Sequence, residues 1–477
     1  MAKFKQYIPY VVALALCVFV TFPVVSNSVI LDEAYSILLV RRTVPNIILG
    51  TARDVHPPLY YLILKFFSLF GGESLLLYRV ATALATWLNL IVLGATLIRR
   101  RWGERVSVIY MLWFGLTYST LERSSLVRMY SWAAFFVTAA ALFLFFYYED
   151  RSKKNLALGI VMTLGAMYTH YYALLAVFLA WVILLLVSLF QKKKILGILV
   201  GGVIVTVGYL PWLGVLLTQF KGVVEDYWID RFDWSEWRMV PAYLIEESET
   251  SLCGIGAVLY ALILLTLLTA LMRKKWDALC CAGVFFGTMV LAAVISVAFT
   301  PIWTTRYMYV AWGMIALFIA ITAGEVVSGY SNLIQAMLML VFLIVGLYSF
   351  HTMMADETMV STADEWVAFL QDNVEADAYI VFDDPQENRL VYQYYLPEAT
   401  MIGTPRLRKK GLKDALSDFM EERQGRELWY IIDYRQQVLG TDAMRAAFEE
   451  LGYTMETKGS FIIKQKTLEV FWVEEAE

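Results

Sequence analysis

The sequence predicts a polytopic α-helical membrane protein, of the order of eleven spans, that ends in a C-terminal soluble α/β domain. Three observations predict it. Hydrophobic residues make up 59% of the 477 and charged residues only 17%, against roughly 45–50% and about 25% in soluble domains. Apolar segments of membrane-crossing length recur as far as Phe350. Beyond about Met354 the composition turns polar, and helix-like stretches alternate with strand-like ones.

A helix needs about 20 apolar residues to cross the hydrocarbon core. Such segments lie near Tyr7 to Val25, Leu75 to Ile98, Val106 to Leu121, Tyr130 to Tyr148, Leu156 to Tyr168 and Tyr171 to Phe190. They continue near Ile195 to Leu217, Leu252 to Leu271, Ala278 to Phe299, Met308 to Ala323 and Leu333 to Phe350. The first has no small-x-small cleavage site and reads as an uncleaved span. Between Leu31 and Gly71 the apolar pattern is broken by Arg41-Arg42, Pro45, Arg53-Asp54 and Pro57-Pro58, which fits two short interfacial amphipathic helices.

Orientation follows from lysine and arginine. Basic clusters occur at Lys3/Lys5, Arg99-Arg100-Arg101, Arg151 with Lys153-Lys154, Lys192-Lys193-Lys194 and Arg273-Lys274-Lys275. Every second loop is therefore basic, which places the N-terminus in the cytoplasm and the C-terminal domain outside. The expected division is a membrane domain over residues 1–353, with a first outer loop over 28–74 and a long outer loop over 218–251, and an extracytoplasmic domain over 354–477.

In the tail, Thr362 to Asn373, Pro385 to Tyr394, Gly411 to Arg423 and Asp442 to Leu451 read as helices. Ala378 to Phe382, Leu428 to Ile432, Tyr453 to Lys458, Phe461 to Ile463 and Leu468 to Val473 read as strands of a largely parallel sheet. The tail contains no cysteine, no G-x-G-x-x-G and no phosphate loop, so neither disulfides nor a nucleotide site is expected there. A net charge of -4 argues against a nucleic-acid partner.

Polar chemistry gathers in the non-basic loops. Asp32-Glu33 follows the first span directly; partial desolvation at such a boundary raises a carboxylate's basicity and suits it to proton abstraction, although an ordinary polar helix stop has the same look. Asp54-Val55-His56-Pro57-Pro58-Leu59-Tyr60-Tyr61 follows, where two prolines fix the backbone and aim His56 and the tyrosines together. All three histidines, His56, His170 and His351, fall at this outer level.

These residues resemble the protein O-mannosyltransferase and aminoarabinose-transferase group, glycosyltransferases of the multi-span C-type fold; the nearest variety is a bacterial family 39-like member. The resemblance rests on Asp32-Glu33, on His56-Pro57-Pro58-Leu59-Tyr60-Tyr61, on Arg79, on Glu122 with Arg128-Met129-Tyr130, on Thr169-His170-Tyr171, and on Arg306-Tyr307 after Pro301. It orders the first 330 residues or so and says little about the tail, which lacks the repeated sugar-binding module of the eukaryotic members. It implies that Asp32 is the base that takes a proton from an acceptor hydroxyl, with Glu33 orienting it. The acceptor oxygen would displace a polyprenyl phosphate from a sugar with inversion. A leaving phosphate asks for cations. Arg306, then Arg128, then Arg79 are the candidates, against the alternative that each arginine snorkels at a span end. His56, Tyr60, Tyr61, Tyr130, His170 and Tyr307 are the expected substrate contacts.

His56 and His170 could ligate a divalent metal ion with Asp32 or Glu33, but no close-spaced His/Cys cluster supports one, and hydrogen bonding to phosphate or sugar is the expected duty. No cofactor is identified, and a divalent metal ion stays open. Lys221 to Glu249, with Tyr227-Trp228, Trp234 and Trp237 among Asp226, Asp230 and Asp233, has the makeup of an acceptor loop or an interfacial helix. The partners expected are a lipid-linked sugar donor, an extracytoplasmic acceptor (a cell-surface glycan, lipid or protein) and the lipid bilayer. Two other function classes compete. A transporter or flippase of lipid-linked sugars should show interrupted helices and mid-depth ionisable groups, which the sequence lacks, and a surface receptor should act through its tail.

Overall fold

The computed structural model describes residues 6–21, 29–225, 229, 232–238, 253–328, 340, 343–344, 347–348, 362–383, 389–403, 411–434, 437–463 and 466–476. His351, most of Leu333 to Phe350, and the aromatic pair Tyr227-Trp228 with Asp226 and Asp230 lie outside them. The chain divides into two compact units. One comprises Met1–Val24 with Val40–His351, and the other Val25–Leu39 with Thr352–Glu477.

In the first unit α1 (Ile8–Thr21) precedes two short helices of the first loop, α3 (Val44–Ala52) and α4 (Leu59–Gly71). With α2 (Leu31–Val40), which falls in the other unit, the loop holds three short helices rather than two. Each stops for a local reason. Pro45 enters the first turn of α3, and Pro57-Pro58 bars any helical join between α3 and α4.

Six described helices are long and apolar enough to cross a membrane: Leu75–Leu116, Tyr130–Asp150, Tyr171–Phe190, Leu196–Gly222, Trp276–Ala298 and Thr305–Val326. The difference from eleven has identifiable sources. The expected spans Leu75 to Ile98 and Val106 to Leu121 share one unbroken run although they are the two arms of a hairpin, and Tyr7 to Val25 becomes the 14-residue α1. Leu156 to Tyr168 becomes the 15-residue α9 (Lys153–Met167). Leu252 to Leu271 becomes α12 (Cys253–Met272).

The long run is itself a hairpin. It comprises α5 (Leu75–Leu88), a π-helical stretch (Asn89–Ile98) and α6 (Arg99–Leu116), and it bends at Gly103, whose φ of 88° and ψ of 176° leave helical space. The two arms pack back on each other. Ser107 Oγ donates to the Gly94 carbonyl at 2.8 Å, Tyr110 bonds Asn89, and a Cβ at Gly94 would collide with Met111. Thr117, in extended conformation, ends α6 and starts the separate α7 (Tyr118–Ser125), so Val106 to Leu121 is not one helix; the Thr117 hydroxyl accepts from Trp312 Nε1 at 3.0 Å.

The remaining helices are α8 (Tyr130–Asp150), α10 (Tyr171–Phe190), α11 (Leu196–Glu225), α13 (Trp276–Ala298) and, after a 3-10 turn (Thr305–Ala311), α14 (Trp312–Ser328). Arg151, Lys192 and Lys274, at the turns that follow α8, α10 and α12, all have positive φ, between 51° and 53°.

The second unit carries α15 (Thr362–Asn373), β1 (Tyr379–Asp383), α16 (Arg389–Tyr395), β2 (Thr400–Gly403), α17 (Leu412–Glu422), β3 (Leu428–Asp433), α18 (Thr441–Glu450), β4 (Tyr453–Ile463) and β5 (Lys466–Glu475). The sheet order is β2-β1-β3-β5-β4. It is mixed rather than largely parallel: β1 pairs parallel with β2 and β3, while β5 runs antiparallel to β3 and β4. The connection from β4 to β5 is too short for the crossover that a parallel pair needs. The two expected strands Tyr453 to Lys458 and Phe461 to Ile463 are one strand, β4, with a register shift between Thr457 and Gly459. The short β2 was not expected. β1 and β3 are buried along their whole length, as strands covered on both faces are.

Candidate active site

The His56 turn is fastened from two sides. Leu59, just after the two prolines, donates its N–H to the Tyr168 carbonyl at 3.0 Å, tying the start of α4 to the turn between α9 and α10. The end of α3 is held by Gln219 on α11, whose Nε2 donates to the carbonyls of Thr51 at 2.7 Å and Ala52 at 3.2 Å. Gln219 Oε1 in turn accepts from the Tyr171 hydroxyl, which accepts from Trp212 Nε1 at 3.0 Å. His56 is thereby fixed in the interior at 5% exposure. Arg128, 7% exposed in the turn between α7 and α8, donates from Nη2 to His56 Nε2 at 3.2 Å. An arginine can only donate, so His56 accepts at Nε2 and carries its proton on Nδ1.

His170 is the N-cap of α10 and is 2% exposed. Its Nδ1 accepts the Tyr172 backbone N–H at 3.1 Å, which puts the proton of the neutral ring on Nε2. Among the described residues that Nε2 has no hydrogen-bond partner. Around the ring stand Tyr307 at 4.9 Å between centroids, Tyr130 at 5.7 Å, His56 at 5.8 Å and Tyr172 at 6.0 Å. The Tyr172 hydroxyl bonds the Ile302 carbonyl, which ties this wall to the segment that leads into Arg306 and Tyr307. Arg306 is half-buried beside Tyr307, its guanidinium carbon 5.8 Å from that ring.

Burial pushes both imidazoles well below the ordinary histidine range, and the charges of Arg128 and Arg306 push in the same direction. The cluster is thus a largely buried set of guanidinium and neutral N–H donors, the chemistry that receives an anionic oxygen. It does not fit a divalent cation: two of the four imidazole nitrogens are already bonded to the protein, and two arginines oppose a second positive charge. Among the described residues no three His, Cys, Asp or Glu side chains converge on a metal position.

No family model matches the sequence, and no curated protein matches it. Solved structures do. ArnT from Cupriavidus metallidurans in the apo state superposes with a TM-score of 0.62 over 97% of each chain at 11% identity. The same protein bound to undecaprenyl phosphate superposes with a TM-score of 0.62 over 98% of each chain at 12% identity. The chain has the ArnT fold. The likeness of fold covers the whole chain, the C-terminal sheet unit included.

On the ArnT fold the other expected residues take the following places. Asp32 and Glu33 occupy the first turn of α2. Asp32 is half-buried, and its carbonyl accepts the Ser36 hydroxyl at 3.0 Å; Glu33 is buried and reaches back to the Ile30 N–H at 3.4 Å, as a capping carboxylate does. Both belong to the unit that contains the C-terminal sheet, whereas His56, Arg128, Tyr130, His170, Arg306 and Tyr307 belong to the membrane unit. Tyr60 turns toward α5, where its hydroxyl meets that of Thr82 at 2.7 Å, and Tyr61 packs beside it at 5.6 Å between ring centroids. Arg79 is buried on α5, one turn before Thr82.

Three residues of this region escaped the sequence reading. Arg123 is 1% exposed, paired with Glu122 at 2.8 Å and stacked 5.6 Å from the Tyr309 ring centre. The neighbouring Glu122 and Arg128 were the available signal for it. Tyr172 adjoins a noted motif, but whether it faces the pocket depends on where α10 begins. Gln219 carries no local signal, because its role is to bridge α3 and α10 from a helix far along the chain.

Proposed function

We propose that this protein is an inverting glycosyltransferase that moves a sugar from a polyprenyl-phosphate donor to a hydroxyl of an extracytoplasmic acceptor. The observation that carries the reading is the buried Arg128–His56–His170 cluster, a group of donors suited to an anion in a protein of the ArnT fold; one ArnT structure holds undecaprenyl phosphate. Residues 1–353 form the transferase in this reading, with the N-terminus cytoplasmic and residues 354–477 outside, as the alternation of basic turns supports.

Asp32 takes the proton of the acceptor hydroxyl, with Glu33 holding the helix turn on which it sits. The acceptor oxygen attacks the anomeric carbon from the face opposite the phosphate, the new C–O bond forms, and the bond to phosphate breaks with its electron pair on the leaving oxygen. Arg128 and Arg306 stabilise the charge that grows there, with Arg79 as a further cation, and the His170 Nε2–H supplies a neutral donor. Tyr61, Tyr130 and Tyr307 offer aromatic faces to the sugar, and Tyr60, beside Tyr61 on α4, is tied to α5 through Thr82.

The test reads release of undecaprenyl phosphate from a panel of undecaprenyl-phosphate sugars by the purified full-length protein, with membrane extract as acceptor source. Asp32→Asn should lower turnover by about 10²–10⁴-fold, the range for loss of a general base, while the melting temperature stays that of the parent. Undiminished release by a well-folded Asp32→Asn protein removes the base from the reading.

A further inference from the structure

Three helices with one end at the His170 cluster have the other end at a second cavity. From Tyr130 at the cluster, α8 runs to Glu149; the 3-10 turn and α14 run from Tyr307 to Glu325; α13 runs from Trp276 toward Ile302. The 21 residues of α8 cover about 30 Å at 1.5 Å each, the thickness of a bilayer core. The second cavity therefore lies at the opposite membrane level, where the basic turns Arg99-Arg100-Arg101 and Arg273-Lys274-Lys275 meet. Its volume is about 680 Å³, and Arg101, Trp102, Arg105, Lys274, Trp276 and Asp277 are among the residues that line it.

We propose that this cavity binds a phosphate group, carried on the headgroup of an anionic lipid or free in solution. Most acids of the neighbourhood are engaged in holding the walls. Arg101 pairs with Asp277 at 3.1 Å and also with Glu149, the same Asp277 carboxylate accepts from Trp102 Nε1 at 3.1 Å, and Lys275 pairs with Glu325 at 2.9 Å. Arg105 and Lys274 are exposed and have no ion-pair partner among the described residues, and Glu104 is the one lining acid left to oppose them. Two cations from two different helix turns thus line one space without a carboxylate paired to either among the described residues, and a phosphate can take contacts from both. Trp276, 61% exposed, stands at the rim where an indole sits between headgroups and acyl chains. Gly103, in the hinge of the hairpin, has open space where a side chain would stand and leaves the mouth clear. A volume within the range of small-molecule sites admits a whole headgroup. The cavity is separate from the proposed transfer site and stands whether or not that reading does.

The experiment measures retention of phosphatidylglycerol against phosphatidylcholine on the full-length protein by native mass spectrometry, and the melting temperature with inorganic phosphate. Arg105→Gln/Lys274→Gln is compared with Lys153→Gln/Lys154→Gln, an equal loss of charge at an exposed turn elsewhere. A lipid site is shown if the parent prefers phosphatidylglycerol and only the Arg105/Lys274 variant weakens it, by about tenfold or more, a modest share of two charge-assisted contacts. A free-phosphate site is shown if phosphatidylglycerol binding is alike in all three proteins while phosphate raises the melting temperature of the parent and the Lys153/Lys154 variant alone. The proposal is overturned if the Arg105/Lys274 variant responds to both probes as the parent does, or if the Lys153/Lys154 variant loses as much.

Discussion

Two buried polar groups, Asp383 of the sheet unit and His170 of the membrane unit, are treated in opposite ways. In the sheet unit the Asp383 carboxylate is wholly buried at the end of β1, and both oxygens are taken. The N–H groups of Val438, Leu439 and Gly440 donate to it at 2.7–3.2 Å, and the Tyr430 hydroxyl lies at 3.5 Å. In the membrane unit His170 is equally buried, yet its Nε2–H is left with no acceptor among the described residues. A satisfied group holds a loop in place, whereas a buried donor left over costs about 1–3 kcal/mol and persists where a ligand completes it. On the function proposed above, the contrast is between a structural polar site and a receptive one.

The largest expected effect falls on the receptive side. Arg128→Gln should lower kcat/KM by on the order of 10²-fold or more, as loss of a preorganised charged donor does, with little change in melting temperature. If undecaprenyl phosphate release is unchanged, the cluster is packing and the contrast fails. On the structural side, Asp383→Asn turns an amide N–H toward three backbone N–H groups. It should destabilise the sheet unit by about 2–4 kcal/mol, read as a lower denaturation midpoint and faster proteolysis after residue 354. An unchanged midpoint would show that the carboxylate does not hold the 438–440 turn.

The smallest effect is a pH slope. His56 and His170 have native pKa values below the ordinary one of about 6.5. The unfolded chain then binds protons that the native cluster refuses, so stability rises with pH. The contribution is fully present above about pH 6.5 and is lost as pH falls below that value. Melting temperature followed from about pH 8 to 5 should show this decline, and His170→Gln should flatten it; Asp383→Asn should leave its shape alone.

Which of these features a reader of the bare sequence could find depends on their range along the chain. Helices whose periodicity and ends are local signals, such as Thr362–Asn373 and Tyr171–Phe190, appear with the bounds that the sequence suggests. Pairing is not local. The antiparallel return of β5 onto β3 and the edge strand Thr400–Gly403 depend on partners far away, and the sheet was misjudged for that reason. In the same way the His56, Arg128, His170 and Tyr307 motifs stood out as residue types, and their convergence on one another was legible only as a resemblance. Gln219 and Arg123 hold the scaffold rather than the chemistry, and nothing in their neighbours announces that. Hydropathy put a break between Ile98 and Val106, where the hinge at Gly103 lies, but it carried the second arm past the stop at Thr117, because that stop is a single extended residue inside an apolar run.

Arg151, Lys192 and Lys274 close their helices in a left-handed conformation that suits glycine, at a cost of roughly 1–2 kcal/mol apiece. Glycine at those positions would relax the backbone, yet it would also remove positive charge from turns that lie on the cytoplasmic side in the orientation proposed above. If that orientation holds, the sequence that folds most comfortably and the sequence that threads the bilayer the right way round are different sequences, and at three corners this chain has the second.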